Sequence, residues 1–564
     1  MNTVPASPLL TAHSTQPRKS LLVFAGIWLL TFALYLPAAK AGWVIDAAGW
    51  LYNIRHLSFW DYINNAQSGI PSLYQFTQFT TWVFYKLFNA NPYAWHMLMV
   101  TMHAVNAFLV FVICNKLFHL SGINAHWRIA ITGAILYTIC PHISEVIVWE
   151  ASFHYLQGFL FILLIMHWVQ LFHQRQQKKY ALWAGILYLC STYSLEIFYL
   201  TPWFVLSLAA YYRLALGHDR GIFKKTLQWF FIPQLLLFGL HLLVLRIVYA
   251  HFAHIAENVV QPIASYFGKP PKYAFNILFL GRYFPNDVRQ KIYSACESLP
   301  GMLIFYSIIA IVSIFLAKRF KNMSGKGQAG TLLFVWMVIS IVILMPLGFP
   351  QIMLMFYDRY TYLLDAFTYM LLALLVSYIS SRAIQYSLLA AYGLLNVYFT
   401  VRLNLYWKHS TYIDNRLLKE LPEAGNKTII LLAMPENMKG VAMIGAQPDG
   451  EYKTMHDLFI GTPLPNKIYD AASFNMEART DGAHVKAIND STIQVTLSQW
   501  GTWWWYEGHG GKSYETPDYR LDMKDVGHWY ELTLKKPAKD FLLLYSVGDK
   551  WHTADMSKIN VEQY

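Results

Sequence analysis

The chain has 564 residues, of which 56% are hydrophobic, 17% aromatic and only 13% charged, with a mean hydropathy of +0.32. That is too little charge to cover a soluble protein of this size, and it identifies a polytopic membrane protein. The net charge of +12 does not point to nucleic acid, because Lys and Arg fall mainly in short loops between apolar runs, where they orient helices; no nucleic-acid partner is expected.

Arg18-Lys19, the apolar run that follows and Ala39-Lys40-Ala41 together resemble a cleavable leader. The run is longer than the apolar core of such peptides, so it is read as a retained first helix. Apolar stretches of membrane-spanning length follow at 21–39, 93–115, 129–149, 154–172, 180–198, 200–216, 227–250, 299–317, 330–347, 360–380 and 385–403, giving about 11 transmembrane helices. Those at 180–198 and 200–216 are nearly continuous and are expected to be short, tilted or broken. Alternate loops are basic: Arg18 and Lys19, Lys116 and Arg128, Arg175 with Lys178, Arg220 with Lys224, Lys318 with Arg319, and Arg382. The positive-inside rule puts these loops and the N-terminal segment 1–20 in the cytoplasm, and the chain beyond 413 outside a plasma or inner membrane. The cysteines, Cys114, Cys140, Cys190 and Cys296, form no CxxC pair, so no disulfide or zinc framework is expected.

Just after the first span stands Gly42-Trp43-Val44-Ile45-Asp46-Ala47-Ala48-Gly49-Trp50-Leu51-Tyr52, in which Asp46 is the first acidic residue of the chain. A carboxylate there, among interfacial aromatics, is placed between lipid and water, which suits chemistry on a lipid-borne substrate. An ordinary helix-end acid beside aromatic anchors is the other reading. Asp46, Glu145, Glu150, Glu196 and Asp358 all fall at outer helix ends. Ionisable groups at that depth are costly and tend to face a cavity or a partner, so an outward-facing cavity lined by carboxylates is expected. His142 and Glu145, three apart, share a face if the segment is helical. Such a pair can also bind a divalent metal, yet a site without further ligands is weak support for one, and no cofactor is assigned. His96 and His103 are read as packing histidines.

The segment 52–92 is aromatic and mixed with polar residues, as in a helix lying in the interface. The outer loop 251–299 carries Lys269, Lys272, Arg282, Arg289 and Lys291, and either a substrate phosphate or anionic membrane lipid would suit its charge. From about 414 the composition becomes that of a soluble domain. Short β-like runs stand at 428–434, 491–497, 530–534 and 541–546, separated by Gly, Pro and Asp. The Trp500, Trp503, Trp504, Trp505 and Tyr506 cluster is read first as a docking surface and second as a sugar-stacking platform. The predicted organisation is thus an α-helical polytopic domain over 21–413 and a small β-rich extracytoplasmic domain over 414–564.

Four passages carry a family resemblance. They are Asn91-Pro92-Tyr93-Ala94-Trp95-His96 with His103-Ala104-Val105-Asn106, then Cys140-Pro141-His142-Ile143-Ser144-Glu145-Val146-Ile147-Val148-Trp149, then Ser194-Leu195-Glu196, and Tyr357-Asp358-Arg359-Tyr360-Thr361-Tyr362. Together they resemble the membrane-embedded GT-C glycosyltransferases, and within them the protein O-mannosyltransferase branch and its tetratricopeptide-bearing relatives, without the repeats. The resemblance implies a polyprenyl-phosphate-linked sugar donor, transfer outside the cytoplasm to a protein, lipid or glycan acceptor, and an essential acid in the first outer loop, the position of Asp46. It departs from the family at Ala47, where many relatives carry a second acid, at Leu195, where they carry Lys, and at Ser152-Phe153-His154-Tyr155, where Arg-Lys-Asp often stands.

The expected reaction is single displacement at the sugar, with Asp46 as base, Arg359 on the donor phosphate and Glu145 orienting the acceptor or holding Arg359. Tyr357, Tyr360, His142, Glu150, Glu196, Lys272 and Arg282 are expected around the substrate. A transporter of lipid-linked saccharides and a non-catalytic membrane scaffold are the alternatives.

Overall fold

A computed structural model describes residues 17–43, 46–64, 74–194, 196–249, 267–342, 358–444, 451–497, 503–504, 513–525 and 529–556. Among these residues, eight helices are long and apolar enough to cross a membrane, and one bent pair counts as a ninth. The protein is therefore a multi-pass membrane protein. The spans are α1 (Pro17–Tyr35), α5 (Pro92–Leu120), α6 (His126–Thr138) with α7 (Ser144–Val148), α8 (Phe153–Arg175), α12 (Ile232–Tyr249), α15 (Leu299–Arg319), α16 (Gly325–Val342), α17 (Tyr362–Val376) and α18 (Arg382–Lys419). Two further expected spans become α9 (Lys179–Thr192) and α10 (Thr201–Leu214), joined through a 3-10 turn at Glu196–Leu200. Each has 14 residues, about 21 Å of helix, which is short of a hydrocarbon core of about 30 Å.

Outside the spans, α2 (Asp46–His56), α3 (Phe59–Asn64) and α4 (Gln75–Phe88) occupy the first interhelical segment. The short α11 (Arg220–Thr226) leads into α12, α13 (Lys269–Phe279) and α14 (Asn286–Glu297) precede α15, and α19 (Glu451–Ile460) lies in the C-terminal region.

The central helix is α5. Asn91 caps its first turn by accepting from the Tyr93 and Ala94 amides, and Pro92 sits at its first position, where no amide is needed. Its neighbours are α1, α6 and α8. Lipid tails are as apolar as leucine, so burial alone does not hold such helices together, and interhelical hydrogen bonds contribute. The Trp28 indole donates to Thr101 at 3.0 Å, Asn106 donates to the Leu156 carbonyl at 3.0 Å and Gln170 to the Ile113 carbonyl at 3.1 Å. His96 faces the Tyr35 carbonyl at 3.2 Å and His103 the Tyr362 hydroxyl at 2.9 Å, which makes both packing histidines. Between α6 and α17, a side chain at Gly133 would lie 2.7 Å from the Met370 sulfur and 3.0 Å from its Cα, so glycine permits the close approach.

Helix α18 has 38 residues, about 57 Å, nearly twice what a bilayer core requires. It runs continuously through 414, and its far end carries the β-rich region. There the Leu417 carbonyl accepts from the Tyr452 hydroxyl at 2.6 Å and from the Trp551 indole at 2.7 Å, which satisfies a last-turn carbonyl that has no partner within its own helix.

The β-rich region holds two sheets. The first runs β12-β11-β1-β4-β7, with β2 and β3 also paired to β1. The second is antiparallel, β5-β6-β10-β9-β8. The strands are β1 (Thr428–Met438), β2 (Val441–Ala442), β3 (Ile468–Asp470), β4 (Ser473–Met476), β5 (Ala483–Ala487), β6 (Thr492–Leu497), β7 (Trp503–Trp504), β8 (Tyr514–Glu515), β9 (Tyr519–Asp525), β10 (Trp529–Leu534), β11 (Phe541–Val547) and β12 (Lys550–Thr553). Strand β1 is buried along nearly its whole length and is parallel to β3, β4 and β11, as a sheet covered on both faces requires. Trp503 and Trp504 pair with Phe474 and Ser473, whereas Trp500, Trp505 and Tyr506 lie outside the described residues.

Helices α1, α7 and α18 are tied by one buried network: Ser144 donates to Asn404 at 2.8 Å, Asn404 to the Leu34 carbonyl at 2.8 Å, and the Trp407 indole to Ser144 at 3.1 Å. Asn404→Leu strands a carbonyl and a hydroxyl in the interior, and each stranded group costs about 1–3 kcal/mol. Its melting temperature in detergent is expected to fall well below that of Leu405→Ala, a change at an exposed neighbour on the same helix; equal melting temperatures would show that the network does not hold the helices.

Candidate functional site

The chain breaks at Pro141, where α6 ends and the direction turns by 51°. Proline lacks the amide that would continue the helix, so 141–143 becomes a 3-10 turn and α7 starts at Ser144. The bend places His142 and Glu145 against a second irregular piece, the 3-10 turn Asp358–Thr361 that opens α17. The first turn is buried and the second is buried at Asp358 and Thr361, at the end of the spans that faces the β-rich region.

Four charged side chains meet there in two crossed pairs. Glu145 accepts from the Arg359 guanidinium through one oxygen, and from the Arg359 backbone amide at 3.1 Å through the other. Asp358, one residue earlier, holds the guanidinium of Arg282. His142 completes the group, with Nδ1 3.5 Å from Asp358 and Nε2 3.1 Å from the Asn276 carbonyl. His142 and Glu145 thus share a face and address adjacent residues of one turn. Both nitrogens of His142 meet protein acceptors, and among the described residues no group of three or more His, Cys, Asp or Glu converges as a metal-binding set.

Arg282 sits in a 3-10 turn, Gly281–Tyr283, outside the spans. Burial opposes its charge, but the Asp358 carboxylate outweighs burial, and the guanidinium titrates above its ordinary value. Its second nitrogen donates to the Gly440 carbonyl at 3.1 Å and the Lys439 carbonyl at 3.4 Å. The β1–β2 turn therefore roofs the cluster. The plane of Arg359 lies 4.5 Å from the Trp149 ring centre and 5.1 Å from that of Tyr360, a stacked arrangement that suits a desolvated guanidinium.

An aromatic wall leads away from Arg359. Tyr360 meets Tyr155 at 5.6 Å between ring centres, His154 follows Tyr155 at 4.7 Å and Tyr74 stacks on His154 at 6.3 Å. At its end the Tyr74 hydroxyl donates to Glu196 at 3.1 Å. Glu196 is thereby linked to the cluster but is not part of it. Glu150 is buried in the turn Glu150–Ser152, against which α2 packs. Asp46 is the first residue of α2, and its side chain lies outside the described residues, as does the whole of Tyr357. The approach to Asp46 is fixed by a tryptophan cluster: Trp43, Trp50 and Trp95 have ring centres 5.1–5.9 Å apart, and Phe459 of α19 stacks on Trp43 at 6.4 Å.

The remaining expected residue, Lys272, lies on α13 with its ammonium against Glu297, not on the cluster. Burial pushes that ammonium down to about 8. One acid escaped the sequence reading. Asp365, fully buried in the first turn of α17, accepts from Thr361 at 2.9 Å, and its other oxygen has no hydrogen-bond partner among the described residues. Its signal was available, since a carboxylate inside an apolar run is costly and asks for a reason.

No family model and no curated protein matches the chain. Among solved structures the chain is similar to ArnT from Cupriavidus metallidurans in the apo state, at 12% identity and a TM-score of 0.34 over 82% of this chain and 93% of that one. It is also similar to ArnT from Cupriavidus metallidurans bound to undecaprenyl phosphate, at 11% identity and a TM-score of 0.32 over the same shares.

Removing one partner of a buried ion pair typically costs about 3–5 kcal/mol, because the other charge stays behind unpaired. Arg282→Met is expected to destabilise the protein on that scale, and Arg282→Met with Asp358→Leu to recover part of the loss. Unfolding of the two single variants and the double variant measures the coupling; additive losses would show that Arg282 and Asp358 do not act as a pair.

Proposed function

We propose that the chain is an integral-membrane glycosyltransferase of the GT-C type that moves a sugar from a polyprenyl-phosphate-linked donor to an acceptor hydroxyl on the extracytoplasmic side. On this reading 1–20 is cytoplasmic, 21–413 is the membrane domain of a protein of the plasma or inner membrane, and 414–564 is the outer domain. The observation that carries the reading is the convergence of Glu145 and Arg359 from two of the four passages that resemble the family, in a buried cluster at the mouth of the spans.

The chemistry follows from these groups. The acceptor oxygen attacks the anomeric carbon, the carbon–oxygen bond to the lipid phosphate breaks, and the phosphate leaves with the electron pair. The acceptor proton passes to the Asp46 carboxylate, and attack opposite the leaving group inverts the centre. Arg359 meets the charge that grows on the leaving phosphate. A guanidinium has five N–H donors in a planar fork, enough to keep Glu145 while taking a phosphate oxygen. Glu145 then acts as the group that orients Arg359, and His142 with Arg282 fixes Asp358, so the turn that presents Arg359 is held from both sides. Tyr360, Tyr155 and Tyr74 form a wall suited to a sugar face or the first isoprene units, with Glu196 and Glu150 along it. The branch nearest the O-mannosyltransferases is proposed on the sequence passages alone.

The test is a transfer and hydrolysis screen of the purified protein against a panel of polyprenyl-phosphate sugars. Loss of a positioned base commonly costs about 10²- to 10⁴-fold in rate, and Asp46→Asn is expected to fall in that range with folding intact. A folded Asp46→Asn protein of full activity would remove Asp46 as base. Silence of the wild type across the panel would favour a scaffold.

A further inference from the structure

A second basic site stands on the far side of Arg282. It is a cavity of about 140 Å³ between α18, the start of α14 and the β1–β2 turn, and its walls include Arg289, Arg402, Tyr406, Lys439 and Glu477. Glu145, Asp358 and Arg359 are not among its walls. The charge of Arg282, which also reaches it, is answered by Asp358, and Arg402 and Lys439 share the cavity wall with one carboxylate, Glu477. Among the described residues Arg402 bonds to Tyr406 at 2.7 Å and forms no ion pair. Lys439 forms none there either, and its ammonium stands 5.7 Å from the Tyr406 ring centre. Arg289 donates to the Arg282 carbonyl at 2.8 Å, which fixes it beside the cavity.

Lys439 stands where its backbone does not favour it. The turn joining β1 to β2 has φ +51° at Lys439 and +82° at Gly440, two left-handed residues in succession as a type I′ turn demands, and asparagine, aspartate or glycine is the usual first residue. A lysine in that conformation is strained, and strain at a binding surface is a reason to look for its use. Here it extends an ammonium over Tyr406 into the cavity.

The depth of the site limits what reaches it. Arg402 lies roughly 20 residues beyond the start of α18 at Arg382, or about 30 Å along the helix, which is one hydrocarbon thickness from the opposite face. The cavity is therefore level with lipid headgroups. Two cations with no ion pair among the described residues, beside an aromatic ring, suit a phosphate, and the carboxylate in the same wall suits the hydroxyls of a polyol attached to it. We infer that this cavity binds a phosphate carried on a polyol, at a site separate from the Glu145–Arg359 cluster.

The probes are glycerol 1-phosphate, for a free ligand, and dioctanoyl phosphatidylglycerol, for a lipid headgroup, with dioctanoyl phosphatidylcholine as control. Each is titrated into the full chain in non-ionic detergent, and binding is read from the melting temperature and by calorimetry. Arg402→Gln and Lys439→Asn are expected to weaken phosphatidylglycerol at least tenfold, and Arg402→Lys to weaken it less. Lys439→Asn suits the turn better than lysine, so its melting temperature without ligand should match or exceed that of the wild type, which separates loss of the site from loss of the fold. Comparable affinity for glycerol 1-phosphate would identify a free ligand, and binding of the lipid alone would identify a headgroup; both support the site. Equal affinity in wild type and both variants, no binding of either phosphate probe, or phosphatidylcholine binding as tightly as phosphatidylglycerol would overturn it.

Discussion

Two adjacent residues of opposite charge, Asp358 and Arg359, set the arrangement of the membrane face. Asp358 is buried and Arg359 largely so, and each reaches a different partner: Asp358 takes Arg282 from the segment before α15, and Arg359 takes Glu145 from the bend after α6. A charge removed from water without a partner costs several kcal/mol, so the turn that carries these residues is stable only when both outlying segments are in place. That requirement closes the mouth of the bundle. It also brings in the β1–β2 turn, whose carbonyls accept from the second terminal nitrogen of Arg282, so the soluble region is registered on the membrane domain through the same guanidinium.

Below the cluster a different principle operates. Within the bundle the contacts that distinguish one helix pairing from another are neutral hydrogen bonds to main-chain carbonyls and close approaches at glycine. Asn106 and Gln170 each hold a neighbouring helix by its backbone. Neutral amides cost less to bury than ions, and they suit the depth at which no compensating water is available. The division is one of depth: neutral groups specify packing inside, and ionised groups gather at the border where the spans end.

Much of this was legible in the chain. Apolar runs located the long helices, because a spanning helix must be apolar over its length. All four β-like runs fall on β1, β6, β10 and β11, because the composition of short β-like runs and the flanking Gly, Pro and Asp are local signals. The acids at the outer helix ends, with His142, Arg282 and Arg359, were recognisable as a border population. What was hidden is non-local. Arg282 and Asp358 are 76 residues apart, and nothing in either neighbourhood names the other. The same holds for β1 and β11, which pair in parallel across most of the C-terminal region, and for Tyr74 and Glu196. Asp365 was masked for another reason: one carboxylate does little to the mean hydropathy of a spanning window, so a search for apolar length passes over it. The 180–216 stretch forms two short helices, as its near-continuity predicts, because Glu196 and Pro202 interrupt it, and the interruption becomes the turn that presents Glu196.

The crossed ion pairs are poorly explained by stability alone. Apolar residues of similar volume commonly support a buried position as well as an ion pair does, or better, and in a protein whose interior is already apolar they would carry no desolvation cost. Two pairs and a histidine at one border therefore call for a role that leucine does not fill. Fixing a fold needs one specific contact, whereas Glu145 contacts Arg359 through side chain and main chain together, and the ring centres of Trp149 and Tyr360 lie 4.5 and 5.1 Å from its Cζ. Such a guanidinium has little freedom of orientation left. A group held that tightly before any ligand arrives loses little further entropy on binding one, and it presents its charge without reorganisation when negative charge develops nearby. Preorganisation of this kind has value for binding or stabilising an anion and little value for packing, which supports the role proposed for Arg359.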